Sequence, residues 1–144
     1  MYLGVSTRPN IAYYAMWLGQ FSSKPTQSHM LAAKRILCYF GGTKLLALSL
    51  GVPSPSLPDS LSASITSMGC SDADGASDTI DCKSISGYSF LFQGSLILWS
   101  SIKQKAISLS STEAEYYTMT HAFKEGLWIC VFLNSLFFVL SHLF

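Results

Sequence analysis

Residues 108–126, SLSSTEAEYYTMTHAFKEG, decide how this chain is read. Ser110 followed three residues later by Glu113 has the form of a capping box, so a helix is expected to start there. From Glu115 onward, Met119, Ala122, Gly126, Ile129 and Leu133 recur at helical period and make one apolar or small stripe. Glu115 heads that stripe, whereas Glu113 lies about 200° round the helix and shares its face with Tyr117, Thr120 and Lys124. One Glu reads as a cap. The other reads as a carboxylate at the rim of a core, where it needs a cation, a donor or a metal ion.

Strand patterns precede that helix. Residues 84–92, SISGYSFLF, alternate with Tyr88, Phe90 and Phe92 on one face; residues 93–95 make a hairpin turn, and 96–101, LILWSS, return. Residues 106–109 suit a third short strand. Upstream, 68–72 is a short run leading into SDADGASD. The order strand, hairpin, strand, helix is an α/β pattern with an α+β, mainly antiparallel start. If 70–74 is extended, Asp72 and Asp74 project on one face. Their plain reading is a polar turn at a strand end, as it is for Asp78 and Asp81. The pair nevertheless closes an apolar run, and Glu115 lacks a partner. A divalent ion between Asp72 and Glu115 satisfies both. Carboxylate-rich sites select Mg²⁺ or Mn²⁺, and two such ions can activate a water and stabilise the leaving oxygen of a phosphodiester.

Toward the start, residues 6–22 carry a helical stripe of Ile11, Tyr14, Ala15, Leu18 and Phe21, with Ser6 or Thr7 as cap and Pro9 in the opening turn. Lys24-Pro25 ends it. Thr26 or Ser28 starts a second helix with Met30, Ala33, Leu37 and Phe40 inward and Lys34 and Arg35 outward, closed by Gly41-Gly42. A helical hairpin with a solvated basic edge is the plain reading, and a phosphate-contacting edge at Lys34 and Arg35 the sharper one. Residues 45–50 suit a short strand. Residues 51–67, rich in Pro and Ser, read as a linker.

At 144 residues the chain has room for one domain, or a small domain with an appendage. Charged residues are 12% of it, about half of what a soluble domain ordinarily carries. Net charge is +1, so no global basic field marks a nucleic-acid protein. The distribution says more: Arg8, Lys24, Lys34, Arg35 and Lys44 stand in the first fifty residues without one acid, and 59–81 is an acidic block. Cys38, Cys70, Cys82 and Cys130 have no CxxC pairing and no His at ligand spacing, which argues against zinc and suits an intracellular protein. No charged-then-apolar leader opens the chain, so secretion is not expected. Residues 127–144 are uncharged and read as a helix continuing the core stripe. A C-terminal membrane anchor is the rival reading, weakened by Asn134, Ser135, Ser141 and His142. His29, His121 and His142 are isolated, and His121 lies about 240° from Glu115 on the helix.

Long strings of this sequence resemble the end of the polyprotein of copia-type LTR retrotransposons: residues 2–43 (YLGVSTRPN to YFGGT), SDADGASD, KSISGYSF, ILWSSIKQKAISLSSTEAEY and HAFKEGLWI. The match covers residues 2 to about 130, with the Pro/Ser stretch as a variable insert. The resemblance implies that 1–50 are terminal helices of a reverse transcriptase, 51–67 a linker, 68–133 a partial ribonuclease H-like domain of three antiparallel strands and a long helix, and 134–144 an apolar tail. It implies hydrolysis of the RNA strand of an RNA–DNA hybrid by a Mg²⁺- or Mn²⁺-dependent carboxylate cluster, with the remainder of the polyprotein as partner. The family's first-strand Asp falls on Asp72, its first-helix Glu on Glu115, and Asp74 joins the metal ligands. Substrate choice then rests on duplex shape and the 2′-OH. The pattern breaks in places: Gly75, Cys82 and Ile102 replace a Trp and two basic residues usual in the family. No acidic residue follows Glu125, so the cluster is not completed within this chain and no cleavage by it alone is expected.

Overall fold

The computed structural model describes residues 2–51, 67–75 and 81–141. Its elements are α1 (Tyr2–Ser6), a 3₁₀ turn at Pro9–Ile11, α2 (Ala12–Gly19), α3 (Gln27–Gly42), β1 (Ser67–Asp74), β2 (Ile85–Phe92), β3 (Ser95–Lys103) and α4 (Ser111–Ser141). The expected class holds: helices first, then three antiparallel strands and a long helix. The helix expected over 6–22 starts later and ends earlier: Tyr2–Ser6 is a helix of its own, Arg8 rather than Ser6 or Thr7 stands at the cap position with no side-chain cap, and Pro9, whose missing N–H costs nothing in a first turn, opens a 3₁₀ turn that runs into α2. Residues 45–50 and 106–109 are not strands, and most of the Pro/Ser linker, with Asp78 and His142, lies outside the described residues.

The sheet order is β1-β2-β3. The β2–β3 turn is a two-residue reversal through Gln93 (φ 50°) and Gly94 (φ 75°), a pair of positive φ values that matches the right-handed strand twist. Register aligns Asp72 with Gly87, Asp74 with Ile85, Gly69 with Phe90 and Ser89 with Trp99. Because side chains alternate along a strand and cross-strand partners share a face, this register sorts the sheet into two sides.

α4 covers one side. Ser86 Oγ lies 2.6 Å from Thr118 Oγ1, and the Phe90 ring passes between Gly69 and Gly126. The other side meets the N-terminal helices, where Trp99 Nε1 donates to the Gly4 carbonyl at 2.7 Å. Lys103 Nζ donates to Asp81 Oδ2 at 2.8 Å and to Gln20 Oε1 at 3.1 Å, tying the end of β3 to the end of α2.

The cap of α4 forms as expected: Glu113 N donates to Ser110 Oγ at 3.1 Å, while the Glu113 carboxylate accepts from Leu109 N at 2.7 Å. The buried face is rolled from the expected one at its N-terminal end. Ala114 and Thr118 are buried there, Glu115 is exposed and Met119 is 54% exposed, whereas Ala122 and Ile129 are buried as the stripe requires. A buried polar cluster causes the roll. Gln104 Nε2 donates to Ser86 Oγ, the Ala114 carbonyl and Thr118 Oγ1 at 3.0, 3.0 and 3.3 Å, and Gln104 Oε1 accepts from Ser108 at 2.9 Å. Among the described residues no buried side-chain polar atom lacks a partner, so the cluster meets the condition under which polar groups can stand in a core.

α3 also forms where expected, with Thr26 as cap. Thr26 Oγ1 accepts from His29 N, and His29 Nδ1 accepts from Thr26 N at 3.3 Å. The His29 ring stacks on Phe21 at 3.9 Å and meets the Trp17 edge, so this histidine is a cap and a packing residue. Met30 and Leu37, expected inward, are more than half exposed.

Candidate functional site

Asp72 and Asp74 stand on β1 and share a face, as their spacing requires. Their partners are Gly87 and Ile85, whereas the residues that touch α4 belong to the alternate set, Ser86 and Phe90. The acid pair therefore lies on the side of the sheet turned to the N-terminal helices. Asp72 lines a cavity of about 350 Å³ there, beside Pro9, Ala12, Tyr13 and Trp99. Asp72 Oδ1 accepts from Ala73 N at 2.9 Å, and both carboxylates are exposed.

Glu115 projects from the opening of α4 and is also exposed. The end of β1 does approach the start of α4: a Cβ at Gly75 would lie 3.9 Å from Ser111 Cβ. The three acids thus share one end of the molecule but not one side of the sheet. A single divalent ion bridging Asp72 and Glu115 requires their carboxylate oxygens to converge at about 2.0–2.6 Å from it. Among the described residues no group of three or more His, Cys, Asp or Glu side chains is gathered to hold a metal. The four cysteines are free and exposed.

Burial pushes the Tyr88 phenol above its ordinary value; a hydrogen bond with Ser100 opposes the rise and the Glu125 carboxylate adds to it.

Lys34 and Arg35 are exposed on α3. Among the described residues neither has an ion pair or hydrogen bond, whereas Arg8 is committed: Nη2 donates to the Thr43 carbonyl at 2.7 Å and the guanidinium lies over the Phe40 ring. Arg35 borders a cleft between α2 and α3 lined by Tyr13, Tyr14, Trp17 and Tyr39. Sequence reasoning placed Arg35 on a basic edge and missed the rings around it. Their i, i+1 and i+4 spacing on α2 was the available signal.

The chain is 40% identical over 136 residues to the retrovirus-related Pol polyprotein from transposon TNT 1-94 of Nicotiana tabacum, covering 94% of this chain and 10% of that protein. It is 38% identical over 136 residues to the corresponding polyprotein from transposon RE2 of Arabidopsis thaliana, covering 94% of this chain and 9% of that one. With the secreted RxLR effector protein 161 of Plasmopara viticola it shares 37% identity over 131 residues, 91% of this chain and 86% of that protein. Several of its relatives are thus retrovirus-related Pol polyproteins from transposons. The chain spans about a tenth of the length of the two Pol polyproteins and most of the Plasmopara relative. No family model and no solved structure matches it. Among the described residues of this Pol-related chain, no helix is long and apolar enough to cross a membrane.

Proposed function

We propose that this chain is a copia-type Pol segment in which the terminal helices of a reverse transcriptase, residues 1–50, meet the opening half of a ribonuclease H domain, residues 68–133, and that it does not cleave RNA–DNA hybrids by itself. Element order supports the assignment: helical hairpin, antiparallel strands, capped helix across the sheet. The carrying observation for the second half is the β1–β2 register, which sets Asp72 and Asp74 on the side away from α4 and its Glu115. Hydrolysis of this class needs its carboxylates on shared ions, with the attacking and leaving oxygens both in reach. Among the described residues no group of three or more His, Cys, Asp or Glu side chains gathers to hold Mg²⁺ or Mn²⁺. An intracellular place, with the rest of a polyprotein and nucleic acid as partners, follows from that origin.

The test is cleavage of a labelled RNA–DNA hybrid by the purified chain in Mg²⁺, beside Asp72→Asn and Glu115→Gln. The expected result is no cleavage above either variant. Mg²⁺-dependent cleavage that both substitutions abolish would overturn the proposal. Contact with nucleic acid through Lys34 and Arg35 is a second reading, favoured by the five cations and absent acids of the first fifty residues.

A further inference from the structure

β1 is an outer strand: among the described residues one of its edges has no partner, and every residue in it except Ala73 is exposed. The free N–H and C=O groups of such an edge template another strand, and proteins usually guard it with Pro, Lys or a bulge. Ser67–Asp74 contains no Pro, Lys or Arg, and its register with β2 runs unbroken, with Asp72 and Asp74 as its charges at one end. Beside the edge, an apolar cavity of about 310 Å³ lies between β1 and α4, walled by Met68 and Ser71 on the strand and by Met119, Phe123 and Leu127 on the helix. Met68, Met119, Phe123 and Leu127 are 58%, 54%, 66% and 52% exposed. Together they leave on the order of 500 Å² of apolar surface in water, near the upper end of what a monomer ordinarily shows.

We propose that this face joins two copies of the chain about a two-fold axis, β1 antiparallel to β1, making one six-stranded sheet with the two α4 helices side by side above it. A two-fold axis normal to the sheet keeps both helices on one side, and it sets one residue of β1 opposite its own copy. With Ser71 there, Asp72 falls opposite Cys70 of the second copy and Asp74 opposite Met68, so no two acids face each other across the strands. The distances close as well. α4 packs on β1 and β2. Strands lie about 4.8 Å apart, so a helix above the β1–β2 interval sits about 4.8 Å from the axis, and the two helices come about 10 Å apart, the contact distance of packed helices. The helix side turned to that seam, Met119, Phe123 and Leu127, carries no charge and can therefore meet its own copy. The N-terminal helices meet β3 instead, which leaves the β1 edge clear. With the edge of an eight-residue strand added to the apolar patch, the footprint is roughly 800 Å² per copy, that of a standard stable interface. A two-fold contact closes on itself and uses up both β1 edges, so assembly stops at two.

The experiment is sedimentation equilibrium of the full 144-residue chain over a wide range of concentration, with amide exchange followed at each. The mass is expected to rise from the 15.7 kDa of one chain toward twice that and to stop there, while the β1 amides exchange more slowly as the dimer fills. Phe123→Asp is expected to weaken self-association about thirty-fold or more, the loss typical of a central contact residue, and to keep the circular dichroism of the fold because the side chain is exposed. Ser71→Lys sets two cations face to face across the axis and is expected to weaken the dimer most at low salt. Its position on β1 is exposed, so it reports even if Phe123→Asp loses the fold. A mass of one chain at every concentration would overturn the proposal, leaving the face to a different partner. So would a dimer that both variants leave intact, β1 exchange that ignores concentration, or assembly that runs on past two copies.

Discussion

Gly69→Ala puts the sheet–helix packing to a quantitative test. A Cβ at Gly69 would fall 2.6 Å from Phe90 Cε1 and 3.0 Å from Cδ1, distances that force the ring to move. A ring end can often swing aside cheaply, but the same Cε1 also faces the α4 backbone, where a Cβ built at Gly126 would lie 3.3 Å away, so the ring sits between the two glycines. Overpacking of this kind costs roughly 1–3 kcal/mol. Ala for Gly returns about 0.4–1 kcal/mol through the unfolded chain, since Gly69 is not at positive φ. The expected net is a loss of about 1–2 kcal/mol, read as a shift in the urea midpoint at unchanged slope. In a Phe90→Leu background the loss should shrink by about 1 kcal/mol, because the clash partner is gone and contacting residues couple. A Gly69→Ala protein as stable as wild type, or a loss identical in both backgrounds, would refute the slot. Gly126→Ala faces the same ring at 3.3–3.4 Å inside a helix, where Ala gains about 1 kcal/mol over Gly, so it is expected to be neutral to stabilising.

Other consequences are separately measurable. Thr118→Val keeps the shape of a fully buried side chain but removes the hydroxyl shared by Ser86, Gln104 and the Ala114 carbonyl; about 1–3 kcal/mol of stability should be lost in denaturant unfolding. Ser110→Ala removes the acceptor for Glu113 N and should cost about 0.5–2 kcal/mol, with helicity lost at the start of α4 in amide-exchange measurements. Tyr88 has its phenol pKa raised in the folded state, chiefly by burial, so the fold holds that proton more tightly than the unfolded chain does. Its contribution is therefore complete below about pH 10 and lost as pH rises past the ordinary phenol value, and Tyr88→Phe should flatten that alkaline loss in unfolding titrations.

The sequence made the caps, the hairpin and the class legible because each rests on local chemistry: Ser110 and Glu113, Thr26, and Gln93-Gly94 act within a few residues of themselves. The shared face of Asp72 and Asp74 was legible for the same reason, from strand alternation. Which face it was could not be read, because that depends on the pairing of β1 with β2 fifteen or so residues away. The roll of α4 escaped for a different cause. A stripe search counts apolar residues, and the core at that end is built from Thr118, Gln104 and Ser86, which pattern reading assigns to solvent. Glu115 was consequently drawn one position too far inward. The cleft beside Arg35 needed two helices to be brought together, and no single stretch contains it.

Titration with Mn²⁺, followed by its broadening of side-chain carboxyl and neighbouring amide resonances, tests most directly whether Asp72 and Glu115 serve one ion. The fold described here predicts only weak, independent broadening near β1 and near the start of α4, with Asp72→Asn leaving the α4 effect unchanged and Glu115→Gln leaving the β1 effect unchanged. One stoichiometric site that broadens both segments and disappears with either substitution would contradict it.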